Sequence, residues 1–594
     1  MSFAIRHEIT NRGVAFCWRL LGLIAASLLL VHHLDRTFHD ALHPALLWRN
    51  AFPILLFALL LYGLCGRAML TLLLSGALAA LVYKINTLKL RNMDSPLTPG
   101  DVQLGHQVAD HIGFFAHYTG YHTVSLIGEP LLMLVLAVVL WRVETPRYRP
   151  RWLTRLGLVV LSLGVFYALL HGLRPWRELY SDRDLTTYQQ WNPVYSAQSL
   201  GMLAAFVRMY QDMQVRVPPP DKQQVAAFAS HNAQEIEQRQ TRALTQELPD
   251  IVVVQSEAFF DPGVLKHVEY GQYDPNYQRL AAGGITGSLT TPTYGGGTIR
   301  TEFETLTGYP MLAFPSVQYP YFGLAAGWMP TVPHRLQQFG YSTTLFHPYE
   351  AQFWNREQVM PELGFQHMYF QNSFKDAKYA GIYISDRSLF KRVLAYMDQD
   401  DSKPRYTMVI TMENHGDWDR DPGDLAQVLR EHPLPPGLSS QGQEEMTYYV
   451  SHLIHGDAAL ADFANKLLAR PRWTLLLFYG DHLPALSAAY ADLGFDDDKT
   501  APEEHTRFML LSNRPFNPAQ PRQVNLAAYD LPGLLFDTAG LPEDGYLAIA
   551  STIRHAKVRK TLGNDFNYAR LQFNAALMEV SCGRKLDTAG RCSP

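Results

Sequence analysis

Four residues drawn from three separate segments have the types needed to hold one divalent cation beside a nucleophilic hydroxyl. The apolar run Ile251-Val252-Val253-Val254-Gln255 ends in Ser256-Glu257. The run Gly295-Gly296-Gly297 leads into Thr298. A second apolar run, Leu475-Leu476-Leu477-Phe478-Tyr479, ends in Gly480-Asp481-His482. Two carboxylates, an imidazole and a hydroxyl form a mixed oxygen and nitrogen donor set that suits Mn2+, Mg2+ or Zn2+, and spacing does not choose among them. A coordinated hydroxyl loses its proton more readily and becomes a nucleophile. Glycines before it let the backbone approach a ligand closely, and a helix N-terminus behind it offers free amides to a phosphate. The chemistry this points to is phosphoryl or sulfuryl transfer. Taken one at a time, each acid could be a helix cap and Thr298 a plain N-cap; the complete set in this order favours chemistry.

A second group stands between these segments. Arg356 has the fork to grip a phosphate in a bidentate manner, Trp354 can wall a pocket, and His347 lies close by in sequence. His415 follows another apolar run and is suited to protonate a leaving alkoxide or to donate a hydrogen bond to phosphate.

Positioning these residues requires buried strands. From Leu248 onward short apolar runs alternate with helical patterns, as at Thr407–Met412 and Thr474–Tyr479. Continuous apolar runs suit parallel strands covered on both faces, and their alternation with helices predicts a βαβ-type core. Acids just past such strands occupy the carboxyl edge of the sheet, where open α/β sheets bind ligands.

The first third of the chain has a different character. Five apolar blocks, near 14–34, 51–66, 68–85, 124–142 and 153–173, predict membrane spans; most have the length that crosses a ~30 Å hydrocarbon core, and the second is marginal. Arg6, Arg12 and Arg19 at the N-terminus, and Arg142, Arg147, Arg149, Arg151 and Arg155 after the fourth block, place both regions in the cytoplasm. The part after the fifth span is then external, although Lys84, Lys89 and Arg91 lie in a translocated loop. Trp176, Tyr180 and Trp191 mark a segment that suits the membrane interface or a packed connector, and Pro218-Pro219-Pro220 makes a stiff spacer. The expected organisation is a five-helix transmembrane domain at 1–173, interfacial and linker helices at 174–247, a catalytic α/β domain at 248–560 and a C-terminal tail at 561–594.

A chain of 594 residues with a formal charge of -4 offers nothing for nucleic acid. The mean hydropathy of -0.10 averages an apolar part and a water-soluble part. Four cysteines are too few for a disulfide framework, but Cys582 and Cys592, on the external side, are expected to form one bridge.

The stretches VVVQSEAF, TYGGGTIRTEFETLTG, HPYEAQFWNREQVMPELGF, MENHGDW and LLLFYGDHLP, together with five spans ahead of an external domain, resemble the lipoteichoic acid synthase group of the alkaline phosphatase/sulfatase superfamily. The resemblance implies an alkaline phosphatase/sulfatase-like extracytoplasmic domain on a bacterial inner membrane protein. It implies that Glu257, Thr298, Asp481 and His482 hold the metal, with manganese the usual one, and that Thr298 is the nucleophile. His347, Trp354, Arg356 and His415 would line a phosphoglycerol site, phosphatidylglycerol would be the donor, and an envelope glycan or polymer the acceptor. A phosphoethanolamine transferase of the same superfamily is the alternative, and a non-catalytic lipid-binding protein a further one. Ala258 stands where many relatives have Ser. Tyr349 stands where relatives tend to have an acid, with Glu350 one position on. Thr298 cannot become formylglycine, which speaks against a hydrolytic sulfatase.

Overall fold

The computed structural model describes the chain outside residues 1, 36–43, 94–95, 100, 102–122, 145–149, 181–192, 214–219, 246, 315–316, 318, 323, 325–328, 352, 400–402, 417–423, 562–566 and 583–594. It divides into two compact units, Met1–Arg216 and Val217–Pro594.

The first unit holds helices at all five places expected for spans: α1 (Ser2–Leu34), α2 (Pro44–Cys65), α3 (Ala68–Met93), α4 (Thr123–Val143) and α5 (Trp152–Leu170). Among the described residues four of them are long and apolar enough to cross a membrane, and α4 carries the shorter apolar stretch Leu131–Val143. Many of their leucines and valines are exposed within the unit, as lipid-facing helices require. Small residues set the packing. A Cβ on Gly63 of α2 would fall 2.8 Å from Val159 Cγ2 on α5, so glycine lets the two helices approach closely. The Arg155 Nε donates to the Gly63 carbonyl at 2.9 Å across that contact.

The aromatic stretch after α5 also belongs to this unit. Trp176 stacks on Phe52 at 4.9 Å, and the Tyr180 hydroxyl donates to the Arg49 carbonyl at 2.7 Å. Asn50 of α2 ties down α6 (Pro193–Leu200) and α7 (Met202–Met213): its Nδ2 donates to Leu200 O at 2.7 Å and its Oδ1 accepts from Ala204 N at 2.8 Å. Of the expected linker, Trp191 and Pro218-Pro219 lie outside the described residues, as do Arg147 and Arg149 of the loop before α5.

The second unit begins with α8 (Lys222–His231) and α9 (Ala233–Gln240). They fall in the stretch expected to hold linker helices, and they pack into this unit. Buried Arg239 of α9 pairs with Asp537 at 2.8 Å and Glu543 at 3.3 Å, far along the chain.

The core is an eight-stranded sheet of β1 (Asp250–Ser256), β2 (Ile285–Thr290), β3 (Ser342–Phe346), β4 (His367–Tyr369), β7 (Arg405–Ile410), β8 (Thr474–Gly480), β9 (Thr506–Ser512) and β10 (Leu526–Ala527). Its order is β10-β2-β9-β8-β1-β7-β3-β4, while β5 (Tyr379–Ala380) and β6 (Tyr383–Ile384) make a separate hairpin. β1 runs parallel to both β7 and β8, and every residue of β1 and β8 is buried, as the unbroken apolar runs predict. β9 departs from that pattern by running antiparallel to β2 and β8.

Helices α10 (Ile299–Thr307), α11 (Arg356–Glu362), α12 (Asp386–Met397), α13 (Ser440–Leu468) and α14 (Leu531–Ala539) complete the layers. Val252, Val254, Leu476 and Phe478 share one cluster with Leu389 of α12 and Leu453, Leu460 and Phe463 of α13.

Residues 568–582, expected as part of a tail, form α15 (Tyr568–Cys582). Leu571, Ala575 and Ala576 on it are fully buried, and its Glu579 accepts a 2.6 Å bond from the Tyr309 hydroxyl. The side chain of Cys582 and the whole of Cys592 lie outside the described residues, and so does the expected bridge.

Helix α10, which follows the glycine run, is buried almost throughout. Its Glu304 accepts from Met311 N at 2.7 Å, and burial pushes its carboxyl up to about 8 despite that bond. A carboxyl raised above its unfolded value of 4.5 favours the fold most below pH 4.5, and that contribution fades as pH climbs through about 8. Thermal unfolding of detergent-solubilised Glu304→Gln should therefore lose less stability between pH 5 and pH 8 than the parent, by on the order of 1–3 kcal/mol. Parallel pH profiles for the two proteins would remove the basis for this expectation.

Candidate active site

The carboxyl edge of the sheet collects the candidate residues in strand order. β8, β1, β7 and β3 are consecutive neighbours. The segments leaving them carry Asp481 and His482, then Glu257, then His415, then His347. The Ser256–Gly480 register pairs the ends of β1 and β8, and Asp481 N donates to Ser256 O at 3.2 Å, extending the ladder by one bond. Gly480 is required at that end: a Cβ there would fall 1.8 Å from the Phe259 carbonyl oxygen.

Glu257, Asp481 and His482 offer ligand atoms all within 4.8 Å of one another, and all three side chains are buried. His482 Nε2 lies 3.3 Å from Glu257 Oε1 and 3.4 Å from Asp481 Oδ2. The second Asp481 oxygen is held in place, accepting from Ala258 N and His482 N at 2.9 Å each. Asp481 Oδ2 and His482 Nε2 are buried without a hydrogen-bond partner. Buried polar atoms are rarely left so, and two of them facing a third ligand fit a cation.

The charges agree with that fit. Burial and the Glu257 charge push the Asp481 carboxyl up to about 7. Burial alone would lower His482, yet Asp481 and Glu257 outweigh it and raise the ring to about 9. Burial would likewise raise Glu257, but His415 and His482 hold it down at about 2.

Thr298 joins this group from the N-terminus of α10. Gly295, Gly296 and Gly297 have φ of 65°, 146° and 76°, three successive values that a side chain would strain. The turn delivers a threonine hydroxyl that makes no capping bond to its own helix. Its Oγ1 donates instead to Glu257 Oε2 at 3.3 Å. The plain N-cap alternative is therefore not the one adopted. Ala258 also sits at positive φ, 48°, with its carbonyl accepting from the Tyr449 hydroxyl at 2.8 Å. Strain of this kind persists only where surroundings hold it, and it gathers at functional sites.

His347 and Arg356 lie together beside this cluster. Arg356 Nη1 donates to His347 Nε2 at 3.1 Å, and His347 Nδ1 lies 3.4 Å from the Ile410 carbonyl. Burial, and then the Arg356 charge, keep the imidazole well below its usual range, so it is neutral. Nδ1–H donates to the Ile410 carbonyl, and Nε2 accepts from Arg356.

The Nε–Nη2 edge of Arg356 is occupied by Glu302, at 3.3 and 2.8 Å. The Nε–Nη2 edge is therefore taken up by the carboxylate, and a bidentate grip on phosphate, the sequence expectation, would have to use the Nη end of the fork.

Trp354 and Asn355 have φ of 56° and 59°, two successive left-handed non-glycine residues. Trp354 packs on Tyr319 and Phe353, each at 5.2 Å. Phe353 meets Tyr349 at 5.2 Å, Tyr349 meets Tyr383 at 5.9 Å, and Tyr383 meets His415 at 5.3 Å. Trp354 thus belongs to a run of neighbouring aromatic rings that includes Tyr349. The Tyr383 hydroxyl lies 3.1 Å from His415 Nδ1 and donates to Gly416 O at 3.0 Å. His415 Nδ1 itself bonds Gly416 O, which leaves Nε2 for the site.

The structure brings all eight sequence-selected residues to one edge. It adds Glu302, Thr411, Tyr383 and Tyr321, whose hydroxyl donates to Glu302. Thr411 accepts from Glu257 N at 3.1 Å. Glu302 had one signal in the sequence, its place one helical turn after Thr298; nothing local marked the others.

Residues 249–541 match the Sulfatase family. A Rhizobium meliloti protein named for cyclic beta-1,2-glucan modification is 24% identical over 472 residues, 78% of this chain and 71% of that protein. The lipoteichoic acid synthase of Staphylococcus saprophyticus is 25% identical over 150 residues, 25% of this chain and 22% of that enzyme. Among solved structures, a Streptococcus pyogenes phosphoglycerol transferase in complex with sn-glycerol-1-phosphate aligns with a TM-score of 0.49 at 21% identity, covering 61% of this chain and 94% of that one.

Proposed function

Since the chain is a lipoteichoic acid synthase-like member of the alkaline phosphatase/sulfatase superfamily, we propose that it moves a phosphoglycerol group from phosphatidylglycerol to the hydroxyl of an envelope glycan or polymer. Phosphoester transfer is the general activity its relatives support. The observation that carries the finer reading is the Thr298 hydroxyl, freed from helix capping and set 3.3 Å from a carboxylate of the ligand cluster.

In this reading Glu257, Asp481, His482 and Thr298 hold a divalent metal, Mn2+ in first place, with Mg2+ or Zn2+ as alternatives. When bound, the ion lowers the pKa of the Thr298 hydroxyl and offsets charge on the phosphoryl oxygens. Thr298 Oγ, its proton having passed to solvent, attacks phosphorus as the alkoxide and forms an O–P bond. The bond from phosphorus to the diacylglycerol oxygen breaks, and His415 gives that oxygen a proton through Nε2. Arg356 offers its Nη end to the phosphoryl oxygens. The acceptor oxygen then forms its bond to phosphorus as the bond to Thr298 Oγ breaks; the acceptor's proton goes to His415 Nε2, and Thr298 leaves as the alkoxide that began the cycle. Trp354 and Tyr349 wall the head group, and His347 holds Arg356 from below.

The N-terminal helices anchor the chain in the bacterial inner membrane that supplies the lipid. The second unit faces the periplasmic or extracellular side, as the arginine distribution indicates.

Mass spectrometry of purified protein incubated with phosphatidylglycerol, and in parallel with phosphatidylethanolamine, tests the reading. A glycerophosphate adduct on Thr298 is expected with the first lipid. An adduct from phosphatidylethanolamine alone would transfer the assignment to a phosphoethanolamine transferase.

A further inference from the structure

Glu302 is fully buried, and its carboxylate bonds Arg356, Tyr321 and Gln255. We infer that Glu302 is a positioning residue, which aims the Arg356 guanidinium at the phosphoryl group and fixes it relative to Thr298. The inference rests on the phosphoryl-transfer reading of the site.

Four donors converge on this one carboxylate. Arg356 Nε and the Tyr321 hydroxyl donate to Oε1, at 3.3 and 2.7 Å. Arg356 Nη2 and Gln255 Nε2 donate to Oε2, at 2.8 and 3.4 Å. Gln255 is itself oriented, its Oε1 accepting from the Tyr479 hydroxyl at 2.5 Å. Glu302 has no exposed surface and Arg356 has 1%. Desolvating two charges is costly unless the geometry is good and the remaining valences are filled. For the carboxylate both conditions hold, and the orientation is set by more contacts than an ion pair needs.

The same carboxylate is rigidly joined to the nucleophile. Glu302 N donates to Thr298 O at 3.0 Å, so the two residues stand one turn apart on α10, on one face. A single helical turn therefore sets the hydroxyl directly and the guanidinium through Glu302. The far end of the guanidinium is fixed too, by the 3.1 Å bond from Nη1 to neutral His347. Gln255, Glu302, Arg356 and His347 form one oriented chain beneath the site. Rotation of Arg356 about its long side chain, which would misplace its remaining N–H groups, is blocked at both ends.

Full-length protein in mixed micelles with Mn2+ provides the test, on phosphatidylglycerol and on bis(p-nitrophenyl) phosphate as a generic phosphodiester. Glu302→Gln should lower kcat ~10–100-fold and change KM less than ~3-fold, because misplacement by about 1 Å is felt mainly in the transition state. Tyr321→Phe removes one of the four bonds without stranding a charge, and should lower kcat ~3–10-fold. In an Arg356→Lys background Glu302→Gln should add less than ~3-fold, since it acts through the guanidinium.

Lowered thermal midpoints with an unchanged kcat per folded molecule would show a purely structural role and overturn the inference. So would losses that multiply in the Arg356→Lys background. If Glu302→Gln does not fold, Tyr321→Phe alone and in the Arg356→Lys background decides by the same two criteria. Wild-type turnover of the aryl diester without turnover of the lipid would refute the lipid assignment, and the role of Glu302 would then be judged on the aryl diester.

Discussion

Thr298→Ala is expected to abolish turnover, with kcat reduced by at least ~10^4-fold, and to leave no covalent adduct with phosphatidylglycerol. The expectation follows from the place of the hydroxyl. It is 6% exposed, is aimed at Glu257 Oε2 and does not cap α10. Deleting it therefore removes the nucleophile without removing a helix cap, and stability should change by less than about 1 kcal/mol. The three glycines ahead of it and the buried face of α10 are unaffected by the change, so the turn persists. Thr298→Ser keeps a hydroxyl in the same position and should retain measurable activity and form the adduct. Near wild-type transfer by a folded Thr298→Ala protein would falsify the covalent mechanism.

Removing divalent metal should have an effect of similar size. Chelation is expected to bring turnover to background, and added Mn2+ to restore it. The structural grounds are the two buried atoms without partners, Asp481 Oδ2 and His482 Nε2, facing Glu257. A cation relieves both, and it offsets the burial and the Glu257 charge that together push the Asp481 carboxyl up to about 7. Binding should also stabilise the fold, by ~2.7 kcal/mol when the ion is at a hundred times its Kd. The thermal midpoint thus gives a second readout, independent of activity. Asp481→Asn removes one anionic ligand and should abolish both the activity and the metal-dependent rise in midpoint. Full activity in a preparation shown by elemental analysis to be metal-free would exclude this assignment.

Several features of the molecule were legible in its sequence because they are local. The apolar blocks before residue 173 and the helices found at all five of their places share one cause: backbone groups in an apolar segment must bond within that segment. β1 and β8 were legible as unbroken apolar runs, and the acids just past them mark strand ends. The run Gly295-Gly296-Gly297 was legible as a place where the backbone can come close to a ligand; the positive φ of all three is a finding of the structure.

Other features depend on partners far along the chain, and no local pattern carries them. β9 reads as one more apolar strand, but its direction is decided by pairing between β2 and β8. The end of the chain reads as a polar tail, yet α15 is buried through contacts such as Tyr309 to Glu579. Arg356 reads as a free fork, but its Nε–Nη2 edge is claimed by a carboxylate 54 positions earlier.

By itself, then, the sequence determined which side chains stand at the carboxyl ends of buried strands, and so which donors and which hydroxyl were available. Those properties follow from side-chain chemistry and short-range periodicity. Only the tertiary structure decided that the donors converge within 4.8 Å, that Thr298 turns away from its own helix, and that Glu302 holds the guanidinium. Each of these is set by the order of strands in the sheet and by burial, where a charged group is stable only beside its partners.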